Sequence, residues 1–200
     1  MRVKDKTFVV TGGANGIGRQ VVFSLLKRGA SVAAVDRDDK GLNALLELTK
    51  EYGAAIDVFV TDITRVDDVK RTISAIIERF VHIDGMINVA GIIQPFVDVV
   101  DLEITHINRV MNVNFYGTVY MVKALLPHLL EQPEAHIVNI SSMGGFIPVP
   151  GQSAYGASKA AVKLFTEGLY AELIETNIRV SLVFPGAVEK RDYQELRSQT

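Results

Sequence analysis

Tyr155 and Lys159 stand four residues apart in Tyr155-Gly156-Ala157-Ser158-Lys159, so a helix there would carry both on one face. A free tyrosine titrates near 10 and is a poor base at neutral pH, but a neighbouring ammonium favours its phenolate. The pair is therefore a candidate for proton transfer. Shifting a phenol by about 3 pKa units takes roughly 4 kcal/mol, which a partly desolvated pocket holding two cations can supply and one exposed pair cannot. The same spacing also arises by chance as a surface pair. Ser142, 13 residues before Tyr155, closes the run Asn139-Ile140-Ser141-Ser142. A hydroxyl at a strand end can hydrogen-bond a substrate oxygen and stabilise its developing charge, or can simply serve a turn.

A second constellation lies near the N-terminus. Gly12, Gly16 and Gly18, with Asn15 and Ile17 between them, separate the strand-like Thr7-Phe8-Val9-Val10 from a helical stretch. Glycines at a strand-to-helix turn let the backbone approach a pyrophosphate, and the helix N-terminus adds amide donors and partial positive charge. A tight turn with no ligand also wants glycine. Asp36, 18 residues after Gly18, can bond the ribose hydroxyls of the adenine side and would repel a 2′-phosphate. Within Asp36-Arg37-Asp38-Asp39 an acid can equally be a helix N-cap. Arg37 could pair with a phosphate, and on balance Asp36 favours NAD over NADP.

Positioning these groups takes alternating strands and helices, which the chain supplies. Strands are predicted at residues 7–10, 31–35, 56–60, 85–89, 137–140 and 178–183. Helices are predicted at 17–28, 40–52, 66–80, 107–130 and 154–176, the first two stopped by Gly29 and Gly53. Near-continuous apolar strands imply burial on both faces, as in a parallel sheet covered by helices. The repeated alternation predicts a doubly wound, mostly parallel α/β domain of six strands. No linker or repeat divides it, so residues 1–200 form one domain in this reading.

These motifs, in this order and over nearly the whole chain, resemble the short-chain dehydrogenase/reductase family in its single-domain, Rossmann-like branch. The glycines follow Gly-x-x-x-Gly-x-Gly, and Asn88-Val89-Ala90-Gly91 matches an Asn-Asn-Ala-Gly turn with Val89 replacing the second Asn. The resemblance implies that Asp62 and Ile63 contact the adenine. It makes Asn88, Ala90 and Gly91 part of the cofactor site, and Ser142 the catalytic serine with Ser141 as a fallback. Asn114, in Asn114-Phe115-Tyr116-Gly117, becomes a fourth catalytic residue that holds a water linking Lys159 to solvent. Pro185 and Gly186 form the turn over the nicotinamide, and Val188 offers a backbone contact to its carboxamide; Lys190 stands where the family usually has Thr. The implied reaction is hydride transfer between nicotinamide C4 and a secondary alcohol or ketone. Tyr155 exchanges the proton, and Lys159 also bonds the nicotinamide ribose.

Composition narrows the partners. Twenty-one basic residues against 23 acidic leave a net charge of −2, which attracts neither nucleic acid nor an anionic membrane. The absence of cysteine excludes disulfides and thiolate metal sites. His82, His106, His128 and His136 lack ligand spacing, so no metal is expected. No signal-like or membrane-spanning run is present, and the expected location is the cytoplasm. Family likeness implies a homodimer or homotetramer paired through the two longest helices. The family's chain normally continues past the Pro185-Gly186 turn into a lid, a helix and a seventh edge strand, so this chain is expected to be truncated there. That expectation keeps open a second reading, a dinucleotide-binding regulator or scaffold without turnover. An epimerase or dehydratase would need a substrate domain for which there is no room.

Overall fold

Runs of small and β-branched residues form β1 (Thr7–Thr11), β2 (Ser31–Asp36), β3 (Ile56–Val60), β4 (Gly85–Asn88), β5 (Ala135–Ile140) and β6 (Ile178–Val183) in a computed structural model, which describes residues 2–186. All five ladders are parallel, and the strand order is β3-β2-β1-β4-β5-β6. Neighbouring strands in a parallel sheet must be joined by crossovers, and helices supply them: α1 (Gly16–Leu26), α2 (Asp39–Leu48), α3 (Val66–Phe80), α4 (Ile104–Met111), α5 (Gly117–Leu130) and α6 (Ser153–Leu173).

Successive strand residues point to opposite faces, and β1 shows what that achieves. Val10 and Phe8 enter a core with Val22, Leu26, Leu42 and Leu45 of α1 and α2. Val9 enters the other core, with Ile73, Ile76, Met121, Leu125 and Leu169 of α3, α5 and α6. Burying each large aliphatic side chain contributes about 1.5–3 kcal/mol, so both layers are held by their apolar faces. The doubly wound α/β architecture is therefore the one expected. The order reverses between β1 and β4, and a crevice opens there at the carboxyl ends of the strands.

The helices predicted at 17–28 and 154–176 end two and three residues early, and two others differ more from expectation. The predicted helix over 40–52 ends at Leu48, and a 3₁₀ segment, Lys50–Ala55, follows it with Gly53 at φ +51. The predicted helix over 107–130 starts at Ile104 and is interrupted by a π-turn at Asn112–Tyr116 before α5. Inserting one residue into a turn frees backbone groups and re-aims side chains, a device often found at functional sites. No helix among the described residues is long and apolar enough to cross a membrane.

Candidate active site

The crevice is a cleft of about 680 Å³ running from the end of β2 to the first turn of α6. Gly12, Asn15, Gly16, Ile17, Gly18, Asp36, Arg37, Asp62 and Ile63 line one end; Ala90, Gly91, Ser142, Tyr155, Lys159, Pro185 and Gly186 line the other. Folding thus gathers most of the residues singled out in the sequence, together with Thr61, Ile92 and Val113, which no motif marked.

Geometry explains the glycines. Gly12 has φ +71, and a Cβ there would lie 2.9 Å from the Ala90 backbone. A Cβ on Gly18 would lie 2.0 Å from the Gly12 carbonyl oxygen, so α1 packs directly on the turn that precedes it. Gly16, at φ +53, has nothing within 4 Å of where its Cβ would be beyond its chain neighbours and its own helix backbone, which leaves open cleft at the start of α1. Close backbone approach, open space and unpaired helix-start amides suit a pyrophosphate.

Asp36 is fixed by its own neighbourhood. Its Oδ2 accepts from the Ala14 amide at 3.1 Å and its Oδ1 from the Asp38 amide at 3.1 Å. The α2 N-cap is Asp38, which accepts from the Gly41 amide at 3.0 Å and from Asn15 Nδ2 at 3.0 Å. Asp36 is therefore free of the capping role and faces the cleft. Burial works to raise the Asp62 carboxyl, but the Thr64 hydroxyl and amide, with Arg37 and Arg65 nearby, hold it below the ordinary carboxylate range.

At the other end, Ser142 sits half-buried after β5, its Oγ accepting from the Gly144 amide at 3.1 Å. A Cβ on Gly144 would lie 3.3 Å from the Tyr155 ring and 3.5 Å from Ser142 Oγ, so both side chains border the same glycine. Ser141 does not serve as the fallback: it is buried and its Oγ donates to the Lys159 carbonyl at 2.8 Å. Lys159 Nζ donates to the Ile140 carbonyl at 3.0 Å.

Asn114 is fully buried in the π-turn and holds the loop after β4. Its Oδ1 accepts from the Ile92 amide, while its Nδ2 donates to the Ile92 carbonyl and to Ser158 Oγ. Ser158 in turn donates to the Tyr155 carbonyl at 2.7 Å. Asn114 Oδ1 and Lys159 Nζ lie 3.3 and 3.1 Å from a Cβ placed on Gly91. Asn88 departs from its expected role. Its side chain lies in the core, donating to Asn139 Oδ1 at 2.8 Å, and Val89 faces the cleft instead. Val188 lies outside the described residues, as does Lys190. His128 and His136 have structural partners, the Ile83 amide and Ser181 Oγ.

Sequence motifs also miss Gln94. This buried residue's Oε1 accepts from the Tyr155 amide at 2.9 Å, its Nε2 donates to the Gly151 carbonyl, and its own carbonyl accepts from Gln152 Nε2 at 3.0 Å. The N-cap Gln152 makes no capping bond to α6, so a side chain from a distant loop satisfies that helix start. A lone Gln in an apolar loop carries no sequence signal for such a role.

Burial lowers the Lys159 pKa from 10.5 to about 8. Below pH 8 the group is protonated both folded and unfolded, and the cost of burying the ammonium, of order 3 kcal/mol, is fully present. As pH rises from about 8 to 10.5 the folded protein releases the proton first and the cost disappears. Lys159→Met is accordingly expected to gain about 2 kcal/mol in urea unfolding at pH 7, allowing for the unpaired Ile140 carbonyl, and to lose that gain by pH 10.5. A gain independent of pH would rule out desolvation as its source.

Comparison with known proteins agrees with this geometry. The family model described as short chain dehydrogenase matches residues 6–200. An uncharacterized oxidoreductase of Staphylococcus epidermidis is 34% identical over 189 residues, covering 94% of this chain and 80% of that protein. The crystal structure of an NAD+-bound xylitol dehydrogenase superposes with a TM-score of 0.91 at 29% identity, over 99% of this chain and 76% of that one. The NADP-bound structure of ElxO gives 0.89 at 29% identity, over 98% and 79%.

Proposed function

Because this chain belongs to the short-chain dehydrogenase family of oxidoreductases, we propose that it transfers a hydride between NAD(H) and a secondary alcohol or ketone, with Tyr155 exchanging the proton. The observation that carries this reading is the placement of Ser142, Tyr155 and Lys159 at one end of a cleft whose other end combines the glycine turn with Asp36. When bound, the nicotinamide supplies the two-electron chemistry, taking the carbinol C–H as hydride in oxidation and returning it in reduction. The residues supply the rest. Ser142 holds the substrate oxygen and Tyr155 takes the hydroxyl proton as the carbonyl forms. At neutral pH Lys159 still carries its proton and is available to donate to a ribose hydroxyl. Asn114 keeps the loop bearing Gly91 and Ile92 against α6.

The choice of NAD follows from charge. A 2′-phosphate beside Asp36 would meet a carboxylate already aimed into the cleft, with Asp38 next to it. The wild type is expected to reduce NAD with a kcat/KM at least about tenfold above that for NADP. Asp36→Ala, which leaves Arg37 in place, is expected to erase that margin. Initial rates at 340 nm with both cofactors test this, and a wild type that prefers NADP would refute it. Pairing of two chains through α5 and α6, whose Tyr116, Leu164 and Tyr170 side chains are exposed next to or on those helices, belongs to the same proposal.

A further inference from the structure

The two ends of the cleft differ sharply in charge. Asp36, Arg37, Asp38 and Asp62 crowd the end built by β2 and β3. At the Tyr155 end, four chain segments converge that carry no Asp, Glu, Lys, Arg or His: residues 85–97 after β4 begins, 110–122 around the π-turn, 137–158 from β5 into α6, and 180–186 at the end of β6. Lys159 is the first charge after them on α6, and its ammonium is buried against the Ile140 carbonyl.

These segments are tied into one wall. Gln94 and Gln152 bind the loop after β4 to the start of α6, and a Cβ on Gly151 would lie within 3.5 Å of the Phe96 backbone. Met143 donates its amide to the Pro185 carbonyl, and the Phe146 and Phe184 rings lie 4.4 Å apart. The wall is apolar where it meets solvent: Ile93, Phe96, Phe146 and Ile147 are each more than half exposed. Lys163 reaches the Phe146 ring from one turn further along α6, but its charge is paired with Glu167. The charges that next follow the loop, Asp98 and Asp101, are acidic.

Resting on the hydride-transfer reading above, we infer that the Tyr155 end takes an uncharged, apolar secondary alcohol or ketone and rejects one bearing a carboxylate or phosphate near the reacting carbon. An anion placed there exchanges water for aliphatic and aromatic surface, and among the described residues of these four segments there is no cation to meet it, whereas an alkyl or aryl group gains from the same contacts. The reaction balances as secondary alcohol plus NAD+ giving ketone, NADH and a proton, with no further reactant.

The test uses the wild-type chain with NAD and a matched pair, methyl 3-hydroxyoctanoate and 3-hydroxyoctanoate, with 2-octanol as a third substrate and an NADH fluorescence titration on the same preparation. The ester and 2-octanol are expected to be oxidised, with a kcat/KM for the ester about 30-fold or more above that for the acid. Ile93→Lys, which places a cation on the wall, is expected to reduce that ratio about tenfold. An acid oxidised as well as its ester, or a ratio unmoved in Ile93→Lys, would overturn the substrate assignment while leaving hydride transfer standing. Bound NADH with no oxidation of any of the three would overturn the hydride-transfer reading itself, and this inference with it.

Discussion

Tyr155→Phe is expected to lower kcat for alcohol oxidation by about 10³-fold, within the range that positioned acid–base groups contribute, while changing NADH affinity less than twofold. The substitution removes one oxygen. The half-buried ring stays in place, because the Tyr155 amide remains bonded to Gln94 Oε1 and its carbonyl to Ser158. The glycine turn and Asp36 line the opposite end of the cleft, so the end proposed to grip the adenosine half is unaffected. Steady-state rates with a fluorescence titration of NADH separate the two effects. Parallel loss of rate and binding would show that the phenol positions the cofactor instead of moving a proton.

The second large effect is structural. Gly18→Ala would place a carbon 2.0 Å from the Gly12 carbonyl oxygen and 2.6 Å from its carbon, and both belong to backbone that cannot swing aside. Nor can α1 slide away, because Val22, Leu25 and Leu26 are fixed in the core one and two turns later. A loss of about 3 kcal/mol or more in urea unfolding is expected, with NADH binding lost alongside it. Gly16→Ala is the contrast. Its methyl meets nothing beyond its chain neighbours and its own helix backbone, so stability falls by about 1 kcal/mol from the left-handed backbone alone, while NADH binding weakens because the methyl enters the cleft. Equal stability of Gly18→Ala and wild type would mean that the turn is looser than its geometry indicates.

Much of this was legible in the sequence, for an identifiable reason. Strands such as Ser31–Asp36 are buried on both faces, so their apolar runs announce a parallel sheet, and the motifs fall at the strand ends where the sheet opens. Tyr155, Lys159 and Ser142 meet because a strand end and a helix start are joined by a short loop, which spacing along the chain already suggests. Long-range pairing was not legible. The π-turn adds one residue to a helical period, and nothing in 112–116 marks it until Asn114 is seen to bond Ile92, 22 residues away. Gln94 caps a helix 61 residues distant. Asn88 and Val89 exchange the expected sides because the buried partner, Asn139, comes from the next strand in space, 51 residues away in sequence. The choice between Asp36 and Asp38 as the N-cap rested on backbone direction, which an acidic run does not reveal.

The reversal of strand order between β1 and β4 also governs how such a chain can diversify. The groups proposed to distinguish one dinucleotide from another, Asp36, Arg37 and Asp38, come from before β4, and the wall proposed to face the substrate comes from β4 onward. The two sets share no hydrogen-bonded side-chain partner among the described residues, and the bonds across the seam run from the Val89 and Ala90 amides to the Thr11 hydroxyl of β1. Distant sites without shared partners contribute additively to free energy. Cofactor preference and substrate preference can therefore drift separately, each open to selection without undoing the other, while the seam residues that serve both stay fixed.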